Sequence, residues 1–150
     1  MNNLGRDQAA PGTGEEKFIV VQGLSKTYGM NHKTVDALKE ISFSLARGEL
    51  VTIVGASGAG KSTLLHLLGA LDHPSAGDIL YRGKSLFSLS DEQLADFRNK
   101  NVGFIFQFHY LLPEFTALEN TMMPALIMGS RRADARAAAE EILTFVGLKD

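Results

Sequence analysis

Cysteine is missing from the 150 residues, so the chain has no disulfide framework and no thiolate chemistry, which fits a reducing compartment. A bias toward one sign of charge is missing too. Fifteen Lys and Arg against 17 Asp and Glu give a formal net charge of −2, which argues against nucleic acid as the main partner. No apolar run approaches the roughly 20 residues that span a bilayer, and no continuous hydrophobic segment follows a basic start, so no signal peptide is expected. The expectation is a cytosolic chain that reaches any membrane through a partner. His32, His66, His73 and His109 lack metal-ligand spacing and read as ordinary surface or core histidines. There is no internal repeat. What remains is ordinary for a globular protein: 45% apolar and 21% charged residues, long enough for one domain with a core.

Against that plain background one motif stands out. Gly55-Ala56-Ser57-Gly58-Ala59-Gly60-Lys61-Ser62-Thr63 fits the phosphate-cradling pattern G-x-x-x-x-G-K-[S/T]. Leu50-Val51-Thr52-Ile53-Val54 before it reads as a buried, β-branched strand, and residues 62–71 after it as a Leu-rich helix. Glycines let backbone amides approach a polyphosphate, and the helix that follows presents its positive end to the same anion. Lys61 supplies a point charge for the β- and γ-phosphates. The Ser62 hydroxyl is placed to ligate Mg²⁺, and Thr63 adds a hydroxyl and an amide. The motif points to a nucleoside triphosphate.

The rest of the chain organises around that motif. Residues 1–16 are polar and read as a disordered leader, with the domain running over 17–150. Phe18-Ile19-Val20-Val21, Val35-Asp36-Ala37-Leu38 and Ile41-Ser42-Phe43-Ser44-Leu45 read as strands of an antiparallel meander, and residues 23–31 as a turn-rich loop carrying Tyr28. Asp78-Ile79-Leu80-Tyr81 is a further strand, and Val102-Gly103-Phe104-Ile105-Phe106 a buried one that ends in Gln107. Ser90 with Gln93 three residues on predicts a capping box opening a helix to about Asn99. Residues 117–128 read as a helix broken or kinked at Pro124, and 133–146 as an Ala-rich helix stopped by Gly147. Arg131-Arg132 reads as a solvated turn.

Several of these segments, in order, resemble the ATP-binding subunits of ABC transporters. They are Leu24-Ser25-Lys26-Thr27-Tyr28-Gly29, the phosphate loop, Pro74-Ser75-Ala76-Gly77-Asp78-Ile79, Phe106-Gln107, Leu111-Leu112-Pro113 and Leu118-Glu119-Asn120. Within the family, residues 107–120 and Met122-Met123-Pro124 are most similar to the ATPases of lipoprotein-releasing systems. Macrolide-exporter and cell-division relatives share much of the pattern. The resemblance implies an α/β phosphate-loop NTPase fold. It would have an N-terminal antiparallel β-subdomain, an incomplete parallel core sheet and a partial helical subdomain. It implies ATP and Mg²⁺ as ligands, with Gly55, Ala56, Ser57, Gly58, Ala59, Gly60, Lys61, Ser62 and Thr63 around the phosphates and Tyr28 stacked on adenine. It gives Lys61 and Gln107 catalytic roles and makes Ser62 and Gln107 the metal contacts. Residues 108–115 would line a groove for a helix of an integral membrane subunit. The implied partners are those membrane subunits and a second ATP-binding subunit, with the protein peripheral on the cytoplasmic side of a bacterial inner membrane. Plain alternatives stand beside these roles: a loop tyrosine at 28, a polar strand end at 107, and aromatics of 108–115 packed under the helical subdomain.

The chain also departs from the family. The Leu-Ser-Gly-Gly-Gln signature, the apolar strand ending in a metal-binding Asp, the catalytic Glu and the switch His are not among these residues. The 150-residue chain is therefore expected not to hydrolyse ATP by itself, because positioning supplies most of phosphoryl-transfer catalysis. Its parallel strand edges are expected to be open. Two other readings are a non-hydrolytic module that binds a nucleotide or a partner, and a different phosphate-loop enzyme. For a GTPase, Asn99-Lys100-Asn101-Val102 lacks the final Asp of Asn-Lys-x-Asp; for a small-molecule kinase, Arg131-Arg132 is thin support for a lid.

Overall fold

A computed structural model describes residues 17–30 and 33–148. The expected leader over 1–16, and His32, lie outside the described residues. The chain divides into two compact units, Met1–Leu68 with His73–Ser88, and Gly69–Asp72 with Leu89–Asp150.

The first unit is built on a long hairpin. Strand β1 (Lys17–Met30) pairs antiparallel with β2 (Lys33–Ala46), and on its other side with β3 (Ala76–Tyr81), which pairs with the short β4 (Lys84–Ser85). The sheet order is β2-β1-β3-β4. Arg82 and Gly83, at φ 49° and 76°, form the two-residue connection that a hairpin twist favours when both positions sit in the left-handed region. The expected loop over 23–31 is instead strand through Met30, and the two expected strands over 35–45 are one.

Serines explain this continuity. The β1–β2 register shifts between Val21 and Leu24 and twice more before Thr27, and the β1–β3 register shifts between Gln22 and Ser25. Each shift costs backbone groups their ladder partners. Ser42 Oγ accepts from Gly23 N (2.8 Å), Ser25 Oγ from Glu40 N (2.9 Å) and Ser75 Oγ from Thr27 N (3.0 Å). Glu40 turns through φ 48° at this irregularity.

Helix α1 (Lys61–Leu68) lies against β2 and buries Leu64 and Leu67. With Val21, Leu24, Leu38, Ile79 and Leu86 these form the unit's core residues, each large side chain worth about 1.5–3 kcal/mol when fully buried. The helix ends at Leu68 rather than Leu71, where Ala70 adopts φ 53°.

The second unit holds three helices, α2 (Asp91–Asn101), α3 (Ala117–Ile127) and α4 (Arg132–Phe145). The Ser90–Gln93 capping box forms as the spacing predicts. Ala135 and Ala139, one turn apart on α4, bury against Met122 of α3, with Leu118, Ala125 and Leu126 around them. Small residues there let the helices approach closely. Pro124 sits inside α3 and removes one backbone donor, while its carbonyl accepts from Asn99 Nδ2 at 3.1 Å. Gly147 stops α4: its N–H reaches Thr144 O (3.1 Å) and Leu148 N–H reaches Leu143 O (2.8 Å), the paired bonds of a Schellman end.

The strands expected at 50–54 and 102–106 do not form ladders. All strand pairing among the described residues is antiparallel, so no parallel core sheet is built there. Leu50 is 96% exposed and Ile105 fully so. A parallel strand is held by neighbours on both edges and covered on both faces, and neither segment has either among the described residues of its own unit.

Candidate functional site

The glycine loop is shaped by backbone contacts. A turn at Ser57-Gly58 leads through Ala59, whose N–H reaches Ala56 O at 3.2 Å, to Gly60, whose carbonyl accepts the first helical bond from Leu64 N at 2.9 Å. Gly60 holds φ 84° and lies against β2 so closely that a Cβ would stand 2.4 Å from Ala37 O and 2.9 Å from Leu38 Cδ2. Two constraints, a left-handed backbone and a steric limit, therefore demand glycine there.

Lys61 opens α1. Its Nζ donates to two carbonyls of its own loop, Gly55 O at 2.9 Å and Ala56 O at 2.7 Å. Both acceptors are neutral, no described carboxylate forms an ion pair with Lys61, and the first turn of α1 has no acidic residue. The ammonium charge and the unpaired amides of the helix start therefore act together on the loop mouth. Ser62 is exposed and Thr63 half-buried in the same turn. Among the described residues no group of three His, Asp or Glu could hold a metal ion; the side-chain oxygens at the loop are the Ser57, Ser62 and Thr63 hydroxyls.

Tyr28 lies on β1, 36% exposed, paired in register with Val35 of β2, and Lys26 Nζ stands 4.9 Å from its ring centroid. Gly60 meets the same β2 strand at Ala37 and Leu38, two to three residues beyond Val35, which is about 7–10 Å along a strand. The sheet thus brings Tyr28 and the phosphate loop to one stretch of β2.

Gln107 belongs to the second unit and is exposed. It follows a chain of aromatic contacts. Phe104 packs onto Gly69, leaving no room for a Cβ there; it stacks on Phe106 at 5.1 Å between centroids, and Phe106 meets Tyr110 edge-on at 5.0 Å. Tyr110 sits at φ 44°, a strained position for a bulky residue. Phe108, Tyr110 and Leu111 are each more than half exposed.

The loop over 112–116 is held by a residue whose role the sequence reading left open. Asn120 Oδ1 accepts from Leu112 N (2.9 Å), while Nδ2 faces the carbonyls of Leu112 (3.1 Å), Phe115 (3.0 Å) and Thr116 (3.0 Å). Next to it Thr116 and Glu119 form a capping box on α3. The Thr116 N–H and hydroxyl both donate to the Glu119 carboxylate and hold its pKa below the ordinary glutamate value. A Thr-x-x-Glu-Asn run after an apolar loop was the available signal.

Residues 38–150 match the ABC transporter family profile. The chain is 56% identical over 131 residues to the lipoprotein-releasing system ATP-binding protein LolD of Geobacter metallireducens, and 52% identical over 131 residues to that of Myxococcus xanthus. Both alignments cover 87% of this chain and 58% of the relative, so the chain spans little more than half the length of these relatives. Among solved structures, it resembles a dimeric ATP-binding cassette in a post-hydrolysis state bound to ADP and Pi, with TM-score 0.76 and 36% identity, over 84% of this chain and 56% of that one. A second dimeric structure of a bacterial ABC transporter cassette gives TM-score 0.77 and 37% identity over the same shares.

Proposed function

The chain belongs to the ABC transporter family, and from that premise we propose that its phosphate loop binds ATP with Mg²⁺ to power lipoprotein release from a bacterial inner membrane. The loop is the observation that carries the reading: Gly60 pressed onto Ala37, and Lys61 held over the loop with no carboxylate partner among the described residues. The residues present fit a polyphosphate. Gly55, Ala56, Ser57, Gly58, Ala59 and Gly60 expose their backbone, Lys61 trades carbonyl oxygens for phosphate oxygens, and Thr63 adds a hydroxyl. Ser62 offers an oxygen to the metal, and bound Mg²⁺ supplies neutralisation of phosphate charge. Tyr28 presents a face for adenine, and the Gln107 amide contacts the metal or orients the attacking water.

On the same reading, the exposed aromatics of residues 108–115 receive a helix of an integral membrane subunit, and a second ATP-binding subunit completes the site. The protein then sits peripherally on the cytoplasmic face. No helix among the described residues is long and apolar enough to cross a membrane. Lipoprotein release is favoured by the relatives' identity over 131 residues. The 150 residues alone are proposed to bind ATP–Mg weakly or not at all and to leave it intact, since they hold no signature segment or catalytic carboxylate to orient water.

Binding of a fluorescent ATP analogue to the full-length protein tests the reading. Lys61→Ala is expected to weaken binding about 10–100-fold, as loss of a charge-assisted contact does, and unchanged affinity sinks it. Steady turnover by the purified 150-residue chain that disappears in Lys61→Ala would overturn the non-hydrolytic proposal.

A further inference from the structure

The four hydrogen bonds of Asn120 reach beyond its own helix, and their geometry leads us to propose that Asn120 positions the aromatic docking loop. Its side-chain amide fixes the backbone of residues 112–116 and thereby the surface that Phe108, Tyr110 and Leu111 present. This rests on the proposal that the loop receives a helix of a membrane subunit.

The amide has one orientation. Oδ1 meets the N–H of Leu112, and Nδ2 meets three carbonyls; turned over, it would set donor against donor and oxygen against oxygen. Leu112 gives both its backbone groups to this one side chain, as a residue in a ladder gives both to a neighbouring strand. The loop has little else to hold it. Between Phe106 and Leu111 no backbone hydrogen bond is formed among the described residues. The segment is fixed at one end by the Phe104–Phe106–Tyr110 aromatic contacts and at the other by Asn120. Phe115 N, which donates to Leu112 O at 3.1 Å, closes a turn inside the part that Asn120 grips. The large apolar side chains stay outward, with Phe108 67% and Tyr110 69% exposed. An exposed apolar loop would otherwise collapse onto nearby apolar surface; the hydrogen-bond hub at its base keeps it extended toward solvent.

Asn120→Ala removes the hub. Asn120→Asp is nearly isosteric but turns the donor edge into acceptors facing three carbonyls, so it separates the hydrogen bonds from the volume. Amide hydrogen exchange on the full-length protein reads the loop first. In the wild type the Leu112 N–H is expected to be protected while the amides of residues 108–111 exchange freely; an unprotected Leu112 amide overturns the proposal with no variant needed. In both variants Leu112 is expected to exchange at least about ten-fold faster, with protection in α4 and affinity for the ATP analogue kept within about two-fold. Unchanged Leu112 exchange overturns it.

Co-purification with the membrane subunits of the same transporter, from detergent, reads the docking. Asn120→Ala and Asn120→Asp are expected to lower recovery at least about five-fold, as are Phe108→Ser and Tyr110→Ser. If the two aromatic variants lower recovery and the Asn120 variants do not, the positioning role is overturned and the docking loop stands. If the aromatic variants leave recovery unchanged, the docking reading fails and takes this proposal with it.

Discussion

The chain contains two loops of opposite construction. The glycine loop at 55–60 is shaped by its own backbone: left-handed glycines, a carbonyl of β2 pressed against Gly60, and a lysine folded back onto loop carbonyls. The aromatic loop at 107–116 is shaped by side chains: a stack of rings and one asparagine. A loop that must surround an anion exposes amides, so its shape has to come from residues with no side chain in the way. A loop that must present rings spends its side chains on the surface, and its backbone has to be gripped by a residue from elsewhere. The first is limited at Gly60, where an added Cβ would meet Ala37 O; the second depends on the asparagine that clasps its base.

The largest expected effect comes from adding one methyl where that contrast is sharpest. Gly60→Ala puts a Cβ 2.4 Å from Ala37 O at φ 84°, which costs about 2–4 kcal/mol in strain and overlap together. Thermal melting is expected to show that loss, nucleotide binding to vanish, and Leu112 exchange in the aromatic loop to stay unchanged. Wild-type affinity in that variant would show that the loop's backbone is not what makes the site.

A smaller effect tests a side chain beside the glycine loop. Tyr28→Ala is expected to weaken ATP-analogue binding by about 1–3 kcal/mol, the range for a base stacked on an aromatic ring, with the melting temperature little changed at this exposed position. Tyr28→Phe keeps the ring face and is expected to bind like the wild type; equal affinity in all three chains would remove Tyr28 from the site.

The smallest effect separates the loops by pH. Glu119 has its pKa lowered in the folded chain by the N–H and hydroxyl of Thr116, whereas in the unfolded chain it titrates at its ordinary value. Its contribution is therefore fully present above the ordinary glutamate pKa and is lost as pH falls through the lowered folded value. Among the described residues, no carboxylate takes part in the glycine loop's hydrogen bonds. Amide exchange at Glu119 and Asn120, corrected for intrinsic rates, is expected to rise in acid, while exchange at Ala59 and Leu64 does not. Glu119→Gln should flatten that dependence, and a steep one persisting there would assign it to another group.

The sequence showed the glycine loop and the helix caps because those signals are local. Ser90 with Gln93 and Gly147 after an Ala-rich run each act over a few residues, and each forms as predicted. The run from Gly23 to Met30 misled because its turn-forming residues lie within β1, rescued by hydroxyls from Ser42 and Ser75, distant in sequence. Residues 50–54 and 102–106 misled in the opposite direction. Their β-branched and aromatic content marks strand preference, but a strand exists only where a neighbour pairs with it, and none of the described ladders reaches them. Asn120 was legible as part of a pattern and not as a hub, since its loop partners at residues 112–116 become visible only once the chain turns back.

Lys61, bound to Gly55 O and Ala56 O, has a consequence for entropy. A free lysine side chain gives up as much as about 2 kcal/mol of rotamer freedom when it is fixed, and a flexible cation that must find an anion bears that cost at the moment of binding. On the proposed reading, the loop has already fixed the ammonium near the place where a phosphate would lie. Binding then asks for a change of acceptor instead of a search through rotamers, and the freedom was surrendered when the chain folded.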